Sequence, residues 1–407
     1  MDPRKNPFTP GAGFHPPELA GRSGAISDAA MALAQVKAGR PAQGTVVYGL
    51  RGVGKTVLLN VVEEKARQEG FHVIAFEATD RMSLGEALVP ELQHLLAKLS
   101  TVEKAKQLAL SALNALRGFA SAFSVEVHGA KFEVKGRAED DIVSSNVEIQ
   151  LRSLLEDVGE AAKAAEQPVA LLIDELQYLQ LREAGREFGA LLAAVHRVGQ
   201  RRLPIIMFGA ALPQVLGQAT KQKSYAERIF RFTKVGALDA KAAAEAIRKP
   251  ITAQGEAIED DALERIFALT KGYPYFLQEY GLQTWLAAPQ SPITVIDVER
   301  AHAAATAALD QSFFEARMQR VTARERDYLV AMAGLGEGPY ATSAVATVLG
   351  AENTTPVTPI RDTLVKKGMI WAPRRGFVEF TVPMFDHFLR RRGDALPLHE
   401  DDEEGSA

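Results

Sequence analysis

The sequence predicts an α/β fold: a doubly wound parallel sheet with a phosphate-binding loop, then a helical segment, then a small module of three helices and a hairpin. Three observations predict it. The stretch "GLRGVGKT", Gly49 to Thr56, sits between a β-rich run and a helix-periodic run. Downstream, "QPVALLIDELQYL" holds a continuous apolar run that ends in two carboxylates. Strand-like and helix-like stretches alternate across residues 1–238, the pattern of a parallel sheet wrapped by helices.

Composition bounds the function. The 407 residues are 47% hydrophobic and 24% charged, enough apolar material for roughly two or three domains. A formal net charge of -4 argues against a non-specific nucleic-acid coat, so any such contact must come from a local patch. The chain has no cysteine, which excludes disulfides, thiol catalysis and thiolate zinc sites, and fits a reducing compartment. No apolar run approaches the ~20 residues of a membrane span, and "MDPRKNPFTPGAGFHPPELAGR" lacks a signal-peptide core. A soluble, cytoplasmic protein with no membrane partner is the expectation.

The elements follow in order. Thr45 to Tyr48 reads as a strand entering the loop, and Val57, Leu58, Val61 and Val62 recur at helical spacing until Gly70. Gly49, Gly52 and Gly54 are expected to take positive φ. That would turn the loop's successive N–H groups, through Leu50, Arg51 and Val53, around anionic oxygens at the positive end of the helix. Lys55 would then reach terminal phosphates and the Thr56 hydroxyl would ligate Mg²⁺. This pattern arises by chance in roughly 2% of chains this long, so it needs a partner.

The partner is the run Val169 to Ile173, apolar throughout as in a strand buried on both faces. It ends in Asp174 and Glu175, at the end of the sheet where ligands bind. Here Asp174 would hold the Mg²⁺ shell and Glu175 would orient and deprotonate the attacking water. In the alternative, the acidic pair merely starts the helix "ELQYLQLREAGREFGALLAAV". "HVIAFEA" and "LPIIMFGAAL" are further strands. An insertion of about residues 91–165 contains a helix-forming stretch. It then carries Val125/Val127 and Phe132/Val134 alternation around His128-Gly129, a hairpin pattern. It is either a flap over apolar surface or a finger for a partner or DNA.

After Leu238 the chain reads as helices broken at Pro250 and Gly272, a lid over 239–312. In 313–393, Thr322 and Glu325 form a capping-box pattern, "TSAVATVLG" is a short helix, and "TPIRDTLVKKG" has Thr358 as cap and Pro359 in its first turn. "MIWAPRRGFVEFTVP" supplies two strands around Arg374-Arg375-Gly376, completing the order of a winged helix. Residues 394–407 read as an acidic disordered tail.

Together, "PPELAGR", "GLRGVGKT", "LLIDELQYL", "KSYAERIFRF", "TKGYPYFLQEYG" and the winged-helix pattern resemble the AAA+/STAND side of the P-loop ATPases. The likeness is to the prokaryotic group near archaeal-type ATPases and origin-recognition initiators, and it covers nearly the whole chain. The resemblance implies ATP with Mg²⁺ as cofactor and ATP-dependent self-association. It implies a Gly21-Arg22 turn lining the adenine side, an arginine finger at Arg228 with Arg231 as a weaker candidate, and a Pro274 turn that packs the lid. Each has a plainer reading: Arg22 satisfying helix carbonyls, Arg228 in an ion pair, Pro274 only joining helices. One departure stands out. Where many relatives place Asn, Ser or Thr to align the water, this chain has Gly209, Ala210 and Ala211, which favours binding over fast hydrolysis.

For double-stranded DNA, Arg361, Lys366 and Lys367 lie on or after the expected recognition helix, Arg374 and Arg375 at the wing tip, and Arg390 to Arg392 at the end of the last helix. The expected function is a slowly hydrolysing ATPase switch controlling assembly and a winged-helix contact with DNA. The alternative is a signalling or scaffold ATPase whose winged helix binds protein.

Overall fold

The computed structural model describes residues 1–11, 13–123, 140–181, 185–222 and 226–393. They form two compact units. The sheet unit comprises residues 22–49 and 55–235, and the C-terminal unit comprises 1–21, 50–54 and the chain from 236 onward.

In the sheet unit, five parallel strands run in the order β2-β3-β4-β1-β5: β1 Gly44–Tyr48, β2 His72–Glu77, β3 Val169–Asp174, β4 Ile205–Ala211 and β5 Phe230–Lys234. β4 is buried at every residue, and β3 at every residue until Asp174, because apolar side chains are covered on both faces. β5 is not anticipated by the sequence reading. It is an edge strand of five residues in which Phe230 and Phe232 alternate with Arg231 and Thr233, a signal too short to stand out.

The helices of this unit are α1 Ser23–Lys37, α2 Lys55–Gln68, α3 Leu84–Leu99, α4 Lys106–Ser121, α5 Asp140–Ala164, α6 Tyr178–Leu181, α7 Arg186–Gln200, α8 Val215–Gln222 and α9 Ala226–Ile229. Leu116 and Phe119 of α4 and Leu151, Leu154 and Leu155 of α5 are fully buried in one core with β3, β4 and α7. Each such side chain contributes about 1.5–3 kcal/mol of transfer free energy. The inserted helices therefore cover apolar surface, while the hairpin expected around His128 lies outside the described residues.

The C-terminal unit holds α10 Ala240–Ala253, α11 Asp260–Thr270, α12 Pro274–Ala287, α13 Val295–Leu309, a π-helical turn Asp310–Glu315 and α14 Ala316–Met318. It continues with α15 Ala323–Gly334, α16 Thr342–Val348, α17 Thr358–Lys366 and α18 Phe385–Gly393. A small antiparallel sheet joins β6 Tyr340–Ala341, β8 Phe377–Phe380 and β7 Ile370–Trp371 in that order. β6 adds a third strand to the two expected. One core runs through the unit: Phe276 packs on Phe313 and Phe314, and Phe314 on Phe385 and Phe388. The N-terminal residues join that core through Phe8 and Ala20, and the buried Trp285 indole donates to the Asp2 carbonyl (2.9 Å).

Two local expectations are corrected. Pro250 does not break the helix but lies inside α10, three residues before its end, and the N–H it lacks is the one that would bond the Ala246 carbonyl. Thr358 is not a cap. Val357 holds the cap position, and the Thr358 hydroxyl donates back to the Thr354 carbonyl (2.7 Å). No helix among the described residues is long and apolar enough to cross a membrane.

Candidate functional site

In the sheet unit the site is built at the ends of β1, β3 and β4. The Gly49 N–H donates to the Ala211 carbonyl (3.2 Å), extending the β1–β4 pairing instead of turning inward, and Gly49 does not take the positive φ expected of it. α2 opens at Lys55, whose side chain is buried despite its charge. The Thr56 Oγ1 donates to Asp174 Oδ2 at 2.6 Å, and the Glu175 N–H donates to Asp174 Oδ1 at 2.7 Å. Burial pushes the Asp174 carboxyl above its usual range. The Thr56 hydrogen bond opposes that, the Glu175 charge reinforces it, and the Lys55 charge opposes it more weakly.

The Asp174-Glu175 pair does not start a helix, since α6 begins only at Tyr178. Glu175 instead sits in a turn at φ 51°, a left-handed conformation costly for a side chain of this size. The turn is fixed from several sides. Leu176 N–H donates to Ala210 O (3.0 Å) and Tyr178 N–H to Glu175 O (2.9 Å). A Cβ on Gly209 would lie 2.3 Å from Leu176 Cδ1, so the glycine in β4 makes room for the turn to fold back. Gln177, missed by the sequence reading, donates from Nε2 to Glu175 Oε2 while its Oε1 accepts Leu212 N–H (3.0 Å).

The middle of the phosphate loop belongs to the C-terminal unit. Gly52 and Gly54 take φ of 77° and 88°, as the loop geometry requires. The Arg51 N–H donates to the Thr381 carbonyl (2.8 Å), and the Tyr275 N–H donates to the Gly52 carbonyl (3.2 Å). A Cβ on Gly52 would meet the Phe313 ring at 3.0 Å. Val53 is fully buried, and Leu50 belongs to the same unit. Pro274 is the first residue of α12, directly before Tyr275. Gly21 faces Leu238 and Ala242 in this unit. Arg22, at the N-terminal boundary of α1, makes no side-chain cap there, and burial lowers its pKa.

The arginine candidates differ in circumstance. Arg228 in α9 is exposed, and its carbonyl accepts from Gln43 Nε2 (2.7 Å). Arg231 is ion-paired with Asp28 at 2.6 Å. Of the basic residues expected to face DNA, Arg361 pairs with Asp362 (2.7 Å). Lys367 donates to Glu325 (2.6 Å) and to the Arg320 carbonyl (3.0 Å). The arginines ending α18 are engaged internally: Arg390 with Asp386 and the carbonyls of Ala333 and Gly336, Arg391 with Asp310, Arg392 with Glu315. Sequence spacing gave no hint of these last acidic partners, which lie 77 and 81 residues away. Lys366, Arg374 and Arg375 are exposed, and the Arg374 guanidinium stacks 3.9 Å from the Phe377 ring centroid.

The donor set fits magnesium held through phosphate. No group of three or more carboxylate, imidazole or thiol side chains able to hold a metal occurs among the described residues. A magnesium site of this kind needs none, because one hydroxyl and one carboxylate suffice when phosphate and water supply the remaining oxygens. Thr56 and Asp174 are such a pair and already touch.

Residues 18–208 match the family described as the AAA ATPase domain, and residues 311–389 match a family described as a domain of unknown function. No curated protein matches the chain. Among solved structures, the Walker-type ATPase of Pyrococcus abyssi is similar at a TM-score of 0.51 and 18% identity, covering 91% of this chain and 96% of its own. The Aeropyrum pernix ORC2 protein, in ADPNP-ADP complexes, is similar at 0.51 and 16% identity, covering 94% of this chain and 97% of its own. The fold is that of the P-loop ATPases, and residues 18–208 match the AAA ATPase domain.

Proposed function

We propose that this chain is an ATP-dependent switch that binds Mg-ATP, hydrolyses it slowly, and passes its nucleotide state to the C-terminal unit. The observation that carries this reading is the hydrogen bonding of the phosphate loop itself, Arg51 N–H to Thr381 and Gly52 carbonyl to Tyr275. A triphosphate arriving at this loop reorders the peptides that make those bonds, so binding and C-terminal contacts are linked.

Gly52, Gly54 and the amides around them would cradle phosphates at the start of α2, with Lys55 as a fixed positive charge. Magnesium, held by Thr56 and Asp174, would neutralise charge on the phosphate oxygens. Glu175 would take the proton of the attacking water. Slow turnover is expected because β4 ends in Gly209, Ala210 and Ala211, with no polar side chain to align that water. The exposed Arg228 suits a finger completing a neighbouring subunit's site, which gives ATP a reason to promote self-association. The fold shared with the Aeropyrum pernix ORC2 protein, solved in ADPNP-ADP complexes, favours ATP as ligand.

Read as a winged helix, the module of α15 to α17 and the small sheet would meet double-stranded DNA through Lys366, Arg374 and Arg375, with Arg361 freed from Asp362. A protein partner is the second reading. The internal engagement of Lys367 and Arg390 to Arg392 favours it, because it shrinks the basic surface left for phosphates. Solution scattering of nucleotide-stripped protein, alone and with a slowly hydrolysed Mg-ATP analogue, tests the switch. The profile should change, and superimposable curves at saturating analogue refute nucleotide control.

A further inference from the structure

We infer that Gln177 is the positioning residue for the general base, a clamp that holds the Glu175 carboxylate against the end of β4. The inference rests on the reading of Glu175 as base and deepens it. Gln177 is 3% exposed, so its primary amide is enclosed and both of its ends must be satisfied within the protein. They are: Nε2 donates to Glu175 Oε2, and Oε1 accepts the Leu212 N–H at 3.0 Å. Leu212 directly follows β4, and the turn's Leu176 N–H is bonded to Ala210 in the same strand.

The amide thus ties the carboxylate to a rigid, fully buried strand. The backbone places Glu175 at φ 51° in the turn, and the Gln177 amide joins its side chain to the residue that follows β4. No side chain of β4 can substitute, since Gly209, Ala210 and Ala211 carry no polar group. Only an amide serves both contacts at once. A carboxylate at position 177 would repel Glu175, and an aliphatic chain would leave the Leu212 N–H without its acceptor.

The test compares phosphate release and Mg-ATP affinity in wild type, Glu175→Gln, Gln177→Met and the double variant. Methionine keeps the buried volume and removes the amide. Gln177→Met should lower kcat on the order of 10–100-fold, as loss of an orienting partner does, with the Kd for Mg-ATP near wild type and a melting temperature lowered by the Leu212 N–H left without its acceptor. The double variant should be no slower than Glu175→Gln, because the clamp has nothing left to orient. If Glu175→Gln is inactive while Gln177→Met keeps wild-type or higher kcat, or if kcat and Mg-ATP affinity fall by the same factor, the positioning role is overturned. If Glu175→Gln turns over like wild type, or wild type releases no phosphate, the failure is that of the base assignment.

Discussion

Replacing Lys367 by methionine separates a structural lysine from a phosphate contact. The Lys367 ammonium lies 2.6 Å from Glu325 Oε2, the same oxygen that accepts the Thr322 N–H at 2.7 Å in the capping box of α15. The Glu325 side chain is 6% exposed and the lysine 33%. Removing the partner of a buried charge costs about 3–5 kcal/mol when both groups are enclosed. The partly solvated lysine is screened, which lowers the expectation to about 2 kcal/mol. With a urea slope of about 2 kcal/mol/M, the unfolding midpoint should fall by about 1 M at pH 7.

Tryptophan fluorescence reads this unit alone, because the two tryptophans, Trp285 and Trp371, both belong to it. The pH dependence carries a sign. Burial pushes Glu325 up, but the Lys367 and Thr322 hydrogen bonds outweigh it, so the folded carboxyl titrates below its ordinary 4.5. Such a group contributes stability that is complete above 4.5 and is lost as pH falls through the folded value, so the gap between wild type and variant should close in acid. An unchanged midpoint at pH 7 together with weakened DNA binding would show that Lys367 serves phosphates instead.

Two further outcomes are expected. Asp174 has its folded pKa raised by burial, so its charged form opposes folding at neutral pH and the opposition fades as pH falls through that raised value. Asp174→Asn should therefore melt higher than wild type at pH 7 without nucleotide, with the difference shrinking in acid, while Mg-ATP affinity falls on the order of 10–100-fold. A lower melting temperature at pH 7 contradicts the burial argument. Arg228→Ala should bind Mg-ATP normally yet lose about 10³-fold in turnover, and mixing it with Glu175→Gln should restore part of the activity if the finger acts between subunits. A mixture as inactive as its components removes Arg228 from that role.

Much of the sheet was legible because buried parallel strands are apolar throughout: Val169 to Ile173 and Ile205 to Ala211 needed only their composition. The edge strand Phe230–Lys234 was not, since only Phe230 of its five residues is buried and its alternation spans five positions. In the candidate site, the meeting of Thr56 with Asp174 was legible from spacing, because a glycine loop and a carboxylate-tipped strand constrain each other over 118 residues. Gln177 left no such mark. Its role appears only when the turn after Asp174 folds back on Gly209, and one glutamine two positions beyond an acidic pair is unremarkable in sequence. The basic patches failed the other way. Arg391 and Arg392 looked like free charge, and their partners became visible only once α18 packed beside the turn at Asp310 to Glu315.

The most direct measurement is isothermal calorimetry of nucleotide-stripped protein titrated with Mg-ATP, for wild type and for Lys55→Ala. Saturable heat at one site per chain in wild type, and its loss in the variant, is the result predicted by a loop that grips phosphates with Lys55 at the start of α2. No heat in wild type, or equal binding in both proteins, contradicts it.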